Sequence, residues 1–106
     1  MGSEPEFVIV ARADGIGDVS LLGAFDLMAH AELERTLMRL VDESDGQGVR
    51  LDLSGVIFLD AGTLGVLARA GRRARRRGAR VVVRNLRPMH RRMLAIVGDL
   101  DIDVED

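Results

Sequence analysis

Side chains that could act as nucleophiles, general bases or metal ligands are few and scattered along this sequence. There is no cysteine, and the two histidines, His30 and His90, lie far apart in predicted helices. No serine stands in the Gly-x-Ser-x-Gly pattern of a nucleophile elbow, and Gly15-Ile16-Gly17 lacks the third glycine of a dinucleotide-binding turn. The hydroxyl residues, none of them next to a histidine, are Ser3, Ser20, Thr36, Ser44, Ser54 and Thr63. The sequence therefore predicts a protein that is not an enzyme and that uses no metal and no cofactor.

The turn that begins at Asp60 is the part of the chain best suited to recognise another molecule. It stands between an apolar run, residues 56–59, and a helical pattern that continues to about Arg77. An aspartate at such a position accepts hydrogen bonds from the free amides of the first helical turn. Those amides make the helix start positive, so a phosphate there is locally stabilised, yet it adds about −1.5 to −2 charge to any contact surface. We therefore expect a protein contact at this turn, which a phosphate placed there would switch off.

Hydrophobic periodicity predicts eight elements in the order β-β-α-β-α-β-α-β. Because strands alternate with helices, the predicted fold is α/β, a mixed sheet of four to five strands with helices packed on it. The predicted strands are 7–12, 19–23, 49–53, 80–83 and a weak one around 102–104; the first two form a hairpin around the turn 13–18, and helices begin near Asp26, Asp60 and Pro88. The expected buried faces are Ala29, Leu33, Leu37, Leu40 and Val41 in the first helix, Leu64, Leu67, Gly71 and Ala74 in the second, and Met89, Met93, Ile96 and Val97 in the third.

Length and composition indicate one small domain. The chain has 106 residues, of which 47% are hydrophobic and only 3% aromatic, so the core is expected to be aliphatic. No apolar run approaches the roughly 20 residues that span a bilayer, and the N-terminus has no basic region followed by an apolar one. We therefore expect a cytoplasmic protein, a monomer or weak dimer, with its domain at residues 7–106 and a lead-in or cloning remnant at residues 1–6.

Positive charge is concentrated in one part of the chain. The net charge is −2, but the span 61–98 holds eleven arginines and no acidic residue. On the second predicted helix, Arg69, Arg72, Arg73 and Arg76 form a stripe opposite the apolar face. Two interpretations stay open, a solvated helix face or a docking surface for an acidic protein. Nucleic acid is not expected as a partner, because stacking residues are scarce and the chain is acidic overall.

Three segments, in order along nearly the whole chain, resemble the STAS family, which comprises bacterial anti-sigma factor antagonists and domains of anion transporters. Gly23-Ala-Phe-Asp26 is similar to the G-x-x-D that opens the family's first helix. Asp52-Leu-Ser54, followed by Phe58-Leu-Asp60 and Leu64-Gly65, resembles the D-L-S strand end and the F-x-D-S-S-G-L-G signature. The segment 85–98 resembles the closing strand and helix. The resemblance implies a single STAS domain.

The signature departs from the family pattern at the residues that matter for phosphorylation. In phospho-regulated members, a serine two residues after the aspartate accepts a phosphate from an anti-sigma kinase. Here Gly62 occupies that position, and Ala61 precedes it. Thr63 stands one residue later, so two interpretations stay open: a displaced phosphate acceptor, or a residue that simply begins the helix.

The resemblance implies a function as an anti-sigma factor antagonist, which binds an anti-sigma factor, in phospho-regulated members a serine kinase, and frees a sigma factor for transcription. It implies no membrane insertion and no nucleic acid contact. The alternative is a cytoplasmic STAS subunit of a phospholipid or anion transporter, which the missing hydroxyls fit nearly as well. The expected partner-binding residues are Asp60, Ala61, Gly62, Thr63, Leu64 and Gly65, with Thr63 also the candidate phosphate acceptor.

Overall fold

The computed structural model describes residues 6–11 and 17–105, so most of the expected lead-in and of the first turn lies outside the described residues. The described residues form a five-stranded sheet in the order β1-β2-β3-β4-β5. β1 runs antiparallel to β2, and every later neighbouring pair is parallel. The strands are β1 (Phe7–Ala11), β2 (Gly17–Phe25), β3 (Val49–Leu59), β4 (Val81–Arg84) and β5 (Asp103–Glu105). The predicted mixed sheet and its opening hairpin are confirmed.

Three helices connect the parallel strands: α1 (Leu27–Glu43), α2 (Ala61–Arg76) and α3 (Pro88–Val97). Each joins two neighbouring strands, and right-handed crossovers between strands in sequential order bring all the helices to one face of the sheet. Burial along the strands agrees with helices on one face only. Leu21 and Leu51 are buried, whereas Ser20, which points to the opposite face from Leu21, is only half-buried. Among the described residues, no helix therefore covers the other face of the sheet. In the part of the chain described, no helix is long and apolar enough to cross a membrane.

The core between the sheet and the helices is aliphatic, as the composition predicts. Phe25 is the largest fully buried side chain, and its ring lies 5.4 Å from that of Phe7 on the edge strand. The predicted inner faces of α1 and α2 are confirmed, except that Leu40 is only partly buried. The deeply buried members of these two helices include Ala29, Leu33, Leu37, Val41, Leu64, Leu67, Gly71 and Ala74.

The predicted buried face of α3 is wrong except at Met93, which is partly buried against the core. His90 and Leu94 are buried, whereas Met89, Ile96 and Val97 are 53%, 85% and 52% exposed. The buried face begins one residue later than predicted, at His90 instead of Met89. Hydropathy favours the predicted face because the observed one contains a histidine. Burial, together with the positive charge of Arg87, lowers the pKa of His90, so this side chain is a neutral core residue at physiological pH.

The arginines of α2 are largely paired with acidic residues of neighbouring elements. Arg69 donates to Glu34 at 2.7 Å, and Arg73 makes two hydrogen bonds to the Asp42 carboxylate at 2.7 and 2.8 Å. The hydrogen bond from Arg73 holds the pKa of Asp42 below its usual value. Arg75 pairs with Asp101, and just beyond the end of α2 Arg77 pairs with Asp42 and Arg80 with Asp103. The charges that are segregated in sequence are thus mixed in space, which favours a solvated face over a docking surface for an acidic protein.

Candidate partner-binding site

The starts of α1 and α2 lie side by side at one edge of the sheet. Parallel β2 and β3 end in register, with Phe25 opposite Leu59, and an aspartate follows each of them. Asp26 caps α1 by accepting a 3.0 Å hydrogen bond from the Met28 amide. Asp60 caps α2 by accepting one of 2.8 Å from the Thr63 amide. The predicted cap at Asp60 is confirmed, and the turn after it lies beside the start of α1.

The Asp60 carboxylate is the centre of a small hydrogen-bond network. Its Oδ1 lies 2.8 Å from His30 Nε2 and 2.7 Å from the Thr63 hydroxyl, in addition to the capped amide. An ionised carboxylate only accepts hydrogen bonds, so Nε2 of His30 carries the hydrogen in this contact. The Thr63 hydroxyl also lies 2.9 Å from the carbonyl oxygen of Phe25, and its single hydrogen is shared between these two acceptors. The network joins the start of α2 to both α1 and the end of β2.

The same network sets the ionisation of Asp60. Partial burial alone would raise the pKa of its carboxyl, but the hydrogen bonds from His30 and Thr63 outweigh that effect and the pKa lies below its usual value. A depressed pKa in the folded state means that the charged carboxylate stabilises the fold at neutral pH. That contribution is lost as the pH falls through the folded-state pKa.

We therefore expect Asp60→Asn to cost about 1–2 kcal/mol in the free energy of unfolding at pH 7, because a neutral amide loses the interaction of the charge with the positive helix start and is a weaker hydrogen-bond partner of His30. Below about pH 4 the difference from the wild type should shrink, since the wild-type carboxyl is then losing its charge. Urea denaturation of both proteins from pH 7 to pH 3 measures this. A difference that stays constant over the range would contradict the role assigned to the charge.

His30 fills the space beside Gly62. A Cβ added at Gly62 would lie 2.2 Å from Cε1 of the His30 ring and 2.9 Å from its Nε2. A serine at this position therefore cannot coexist with the observed ring position. The sequence places His30 in a predicted helix far from His90, and its position beside the turn is visible only once the two helix starts are side by side. The one relevant sequence signal is its position four residues after the Asp26 cap, on the first turn of α1.

Gly62→Ser should cost about 1–2 kcal/mol of stability, because the ring of His30 must swing away and lose its charge-assisted hydrogen bond to Asp60. In a His30→Ala background the same change should be neutral or slightly stabilising, since serine is a better helix residue than glycine. Urea denaturation of the four proteins gives this double-mutant cycle. An equal cost of Gly62→Ser in both backgrounds would show that His30 is not the obstacle.

The expected partner-binding residues differ in what they offer to a partner. Ala61 and Gly62 are exposed, the Asp60 side chain is 30% exposed, and Gly65 is half-buried. Thr63 and Leu64 are only 1% and 2% exposed. These two side chains face the inside of the domain, because Leu64 packs in the core and the Thr63 hydroxyl is hydrogen-bonded to the Phe25 carbonyl. Their part in partner binding stays a prediction. The burial of Thr63 favours its interpretation as a helix-start residue over that as a phosphate acceptor.

Large apolar side chains that are not among the predicted partner-binding residues lie beside the exposed turn. Leu27 and Met28, at the start of α1, are 76% and 82% exposed. Ile57 and Phe58, at the end of β3, are 62% and 48% exposed. In a regular strand one of two consecutive side chains would face the core. Here the pairing with β2 shifts its register and skips Ile57, and this β-bulge breaks the alternation of inward and outward side chains. Exposed apolar patches of this kind are typical of protein interaction sites.

The architecture and this edge together define a small α/β domain in which the starts of α1 and α2, each capped by its own aspartate, lie side by side. A family model described as "Mlab, STAS domain" matches residues 9–102. The chain belongs to the STAS domain family. No curated protein matches it significantly by sequence.

Solved structures agree with this assignment. An anti-sigma factor antagonist from Mycobacterium paratuberculosis is 28% identical, with a TM-score of 0.75 over 96% of this chain and 88% of that one. The anti-sigma factor antagonist SpoIIAA in its unphosphorylated form is 15% identical, with a TM-score of 0.73 over 94% of this chain and 87% of that one. A variant of RsbS from Moorella thermoacetica is 20% identical, with a TM-score of 0.73 over 95% and 86%. The last two likenesses concern the fold alone.

Proposed function

We propose that this protein is an anti-sigma factor antagonist, a cytoplasmic regulatory binding protein that occupies an anti-sigma factor and so frees a sigma factor for transcription. The observation that carries the proposal is the exposed turn Ala61–Gly62, set among exposed apolar side chains at the start of α1 and the end of β3. The solved antagonist from Mycobacterium paratuberculosis supports it, since it is similar over almost the whole chain. We further propose residues 7–106 as the folded unit.

The contact is proposed to be made by the backbone of the turn, the half-exposed Asp60 carboxylate and the apolar side chains beside them. Apolar side chains supply the area removed from water, and the carboxylate fixes the orientation of the partner by selecting a donor group. Thr63 and Leu64 contribute from inside the domain, by holding the start of α2 in place. The partner-binding surface is therefore Asp60, Ala61, Gly62 and Gly65, with Leu27, Met28, Ile57 and Phe58 around them.

We propose that phosphorylation does not regulate this contact. Positions 61 and 62 have no hydroxyl, and the hydroxyl of Thr63 is buried and hydrogen-bonded to the Phe25 carbonyl and to Asp60. A kinase would have to open the first turn of α2 to reach it. The antagonist would then be active whenever it is present, and its amount in the cell would set the response.

The absence of an accessible hydroxyl at positions 61–63 also favours a second candidate, the cytoplasmic STAS subunit of a phospholipid or anion transporter. Such a subunit would use the same edge of the domain for a permanent contact. The two candidates differ in the partner: an anti-sigma factor in one case, and the ATPase or membrane component of a transporter in the other.

The test is to titrate purified candidate anti-sigma factors with this protein and to measure binding by calorimetry. Size-exclusion chromatography then shows whether a sigma factor bound to the anti-sigma factor is released. We expect one of them to bind at micromolar concentration or below and to lose its sigma factor. Incubation of that complex with ATP should leave the intact mass of this protein unchanged. No complex across the panel, with co-purification of a transporter ATPase instead, would overturn the proposal in favour of the second candidate.

A further inference from the structure

The two edge strands of the sheet differ in how they are protected against pairing with another chain. β5 is three residues long and reads Asp-Val-Glu, so its charges and its shortness discourage further pairing. β1 is five residues long and reads Phe-Val-Ile-Val-Ala, with no charge, no proline and no glycine. An edge strand leaves outward-pointing amide and carbonyl groups without a strand partner, and one that lacks such protection is a template for strand addition.

The open face of the sheet is apolar next to this same edge. Val8 and Val10 of β1 are 44% and 47% exposed, and Leu22 of β2, directly opposite Val8, is 41% exposed. These side chains lie on the face that the helices leave uncovered. In the part of the chain that the structure describes, the outer edge of β1 has no strand partner, and apolar side chains are exposed on the adjoining surface of the sheet.

The sequence of β1 is self-complementary when two copies pair antiparallel about Ile9. In that register, Val8 of each copy faces Val10 of the other, Ile9 faces Ile9, and Phe7 faces Ala11. Each open-face pair is valine against valine, and no like charges meet across the symmetry axis. Cross-strand pairs of β-branched residues stabilise antiparallel sheets, and a two-fold contact needs a surface that matches itself in this way.

We propose that β1 is a homodimerisation edge, at which two copies of this chain pair antiparallel about Ile9 to form one continuous ten-stranded sheet. The contact uses the backbone of residues 7–11 and the valines of the open face, and none of the residues assigned above to partner binding. It does not rest on the proposed function. Because a five-residue strand buries little area compared with the roughly 1,200–2,000 Å² of stable complexes, the dimer is weak and depends on protein concentration.

Charge substitutions on the open face test both the pairing and its register. In one variant Val8→Lys and Val10→Lys are combined, and in a second Val8→Glu and Val10→Glu. Both side chains are half-exposed in the single chain, so the fold should persist, which circular dichroism and urea denaturation check. Sedimentation equilibrium of the wild type should show a monomer–dimer equilibrium from micromolar to millimolar concentration. Each variant alone should be monomeric, with its association at least tenfold weaker, because like charges face each other across the axis.

An equimolar mixture of the two variants should dimerise again, since each lysine then faces a glutamate of the other copy. The matched control is Val104→Lys on β5, which is 44% exposed like Val8 but lies at the opposite edge, and it should leave dimerisation unchanged. A wild type that stays monomeric at millimolar concentration would overturn the proposal. So would charged variants that dimerise as well as the wild type, or a mixture that fails to restore dimers.

Discussion

Ala61→Glu should abolish binding of the partner protein while leaving the domain folded. Ala61 is the first residue of α2 and is exposed. A carboxylate on the first turn of a helix interacts favourably with the helix dipole, typically by about 0.3–1 kcal/mol, so the substitution should not destabilise the free protein. In the complex the same charge would be buried among Leu27, Phe58 and the partner without a compensating cation. Leaving a charge unpaired in an interface costs about 3 kcal/mol or more, which is a loss of at least about 100-fold in affinity.

Isothermal titration calorimetry against the partner measures this loss, and urea denaturation of the free protein checks the fold. The matched control is Ala95→Glu, the same change at an exposed alanine late in α3, away from the helix starts. It should leave the affinity unchanged. If both substitutions weaken binding equally, or if neither does, the partner uses another surface of the domain.

The order and type of the elements could be predicted because each depends on residues close together in sequence. Apolar periodicity, the capping aspartates at 26 and 60, and Pro88 at the start of α3 are local signals, and all correspond to observed elements. The STAS resemblance rests on segments of the same kind. The buried faces of α1 and α2 could also be predicted, because their apolar residues recur with the period of an α-helix.

What could not be predicted depends on contacts between distant segments. The pattern over 49–53 and 56–59 indicates two short runs, whereas the structure has one strand, β3, with bulges that turn both Ile57 and Phe58 outward. Bulges follow from pairing with β2, which no local pattern encodes. His30 and Asp60 meet only because β2 and β3 end in register. The turn of the candidate site could therefore be predicted from the sequence, whereas the histidine beside it and the exposed apolar side chains around it could not.

Thr63→Glu should remove a large part of the stability of the domain, and this result separates the two interpretations of Thr63. In phospho-regulated proteins a glutamate at the acceptor position is used to imitate the phosphate, which requires an acceptor that faces solvent. Thr63 is 1% exposed, and its hydroxyl bonds to the carbonyl of Phe25. A glutamate here would be larger than the space allows, would bring a second carboxylate against Asp60 and would leave the Phe25 carbonyl without its hydroxyl donor. Overpacking and an unpaired buried charge together cost about 3–5 kcal/mol, against about 5–15 kcal/mol for the whole of a small domain.

Two milder variants show which part of that loss comes from the charge. Thr63→Val keeps the shape and removes the hydroxyl, and Thr63→Ser keeps the hydroxyl and removes a methyl group, so each should cost only about 1 kcal/mol. Urea denaturation midpoints order the series, with the valine and serine variants near the wild type and the glutamate variant far below. If the glutamate variant were as stable as the wild type, the start of α2 would have to open readily to solvent. Thr63 would then be accessible to a kinase. The proposal that phosphorylation does not regulate the protein would fail, because it depends on the burial of this one hydroxyl.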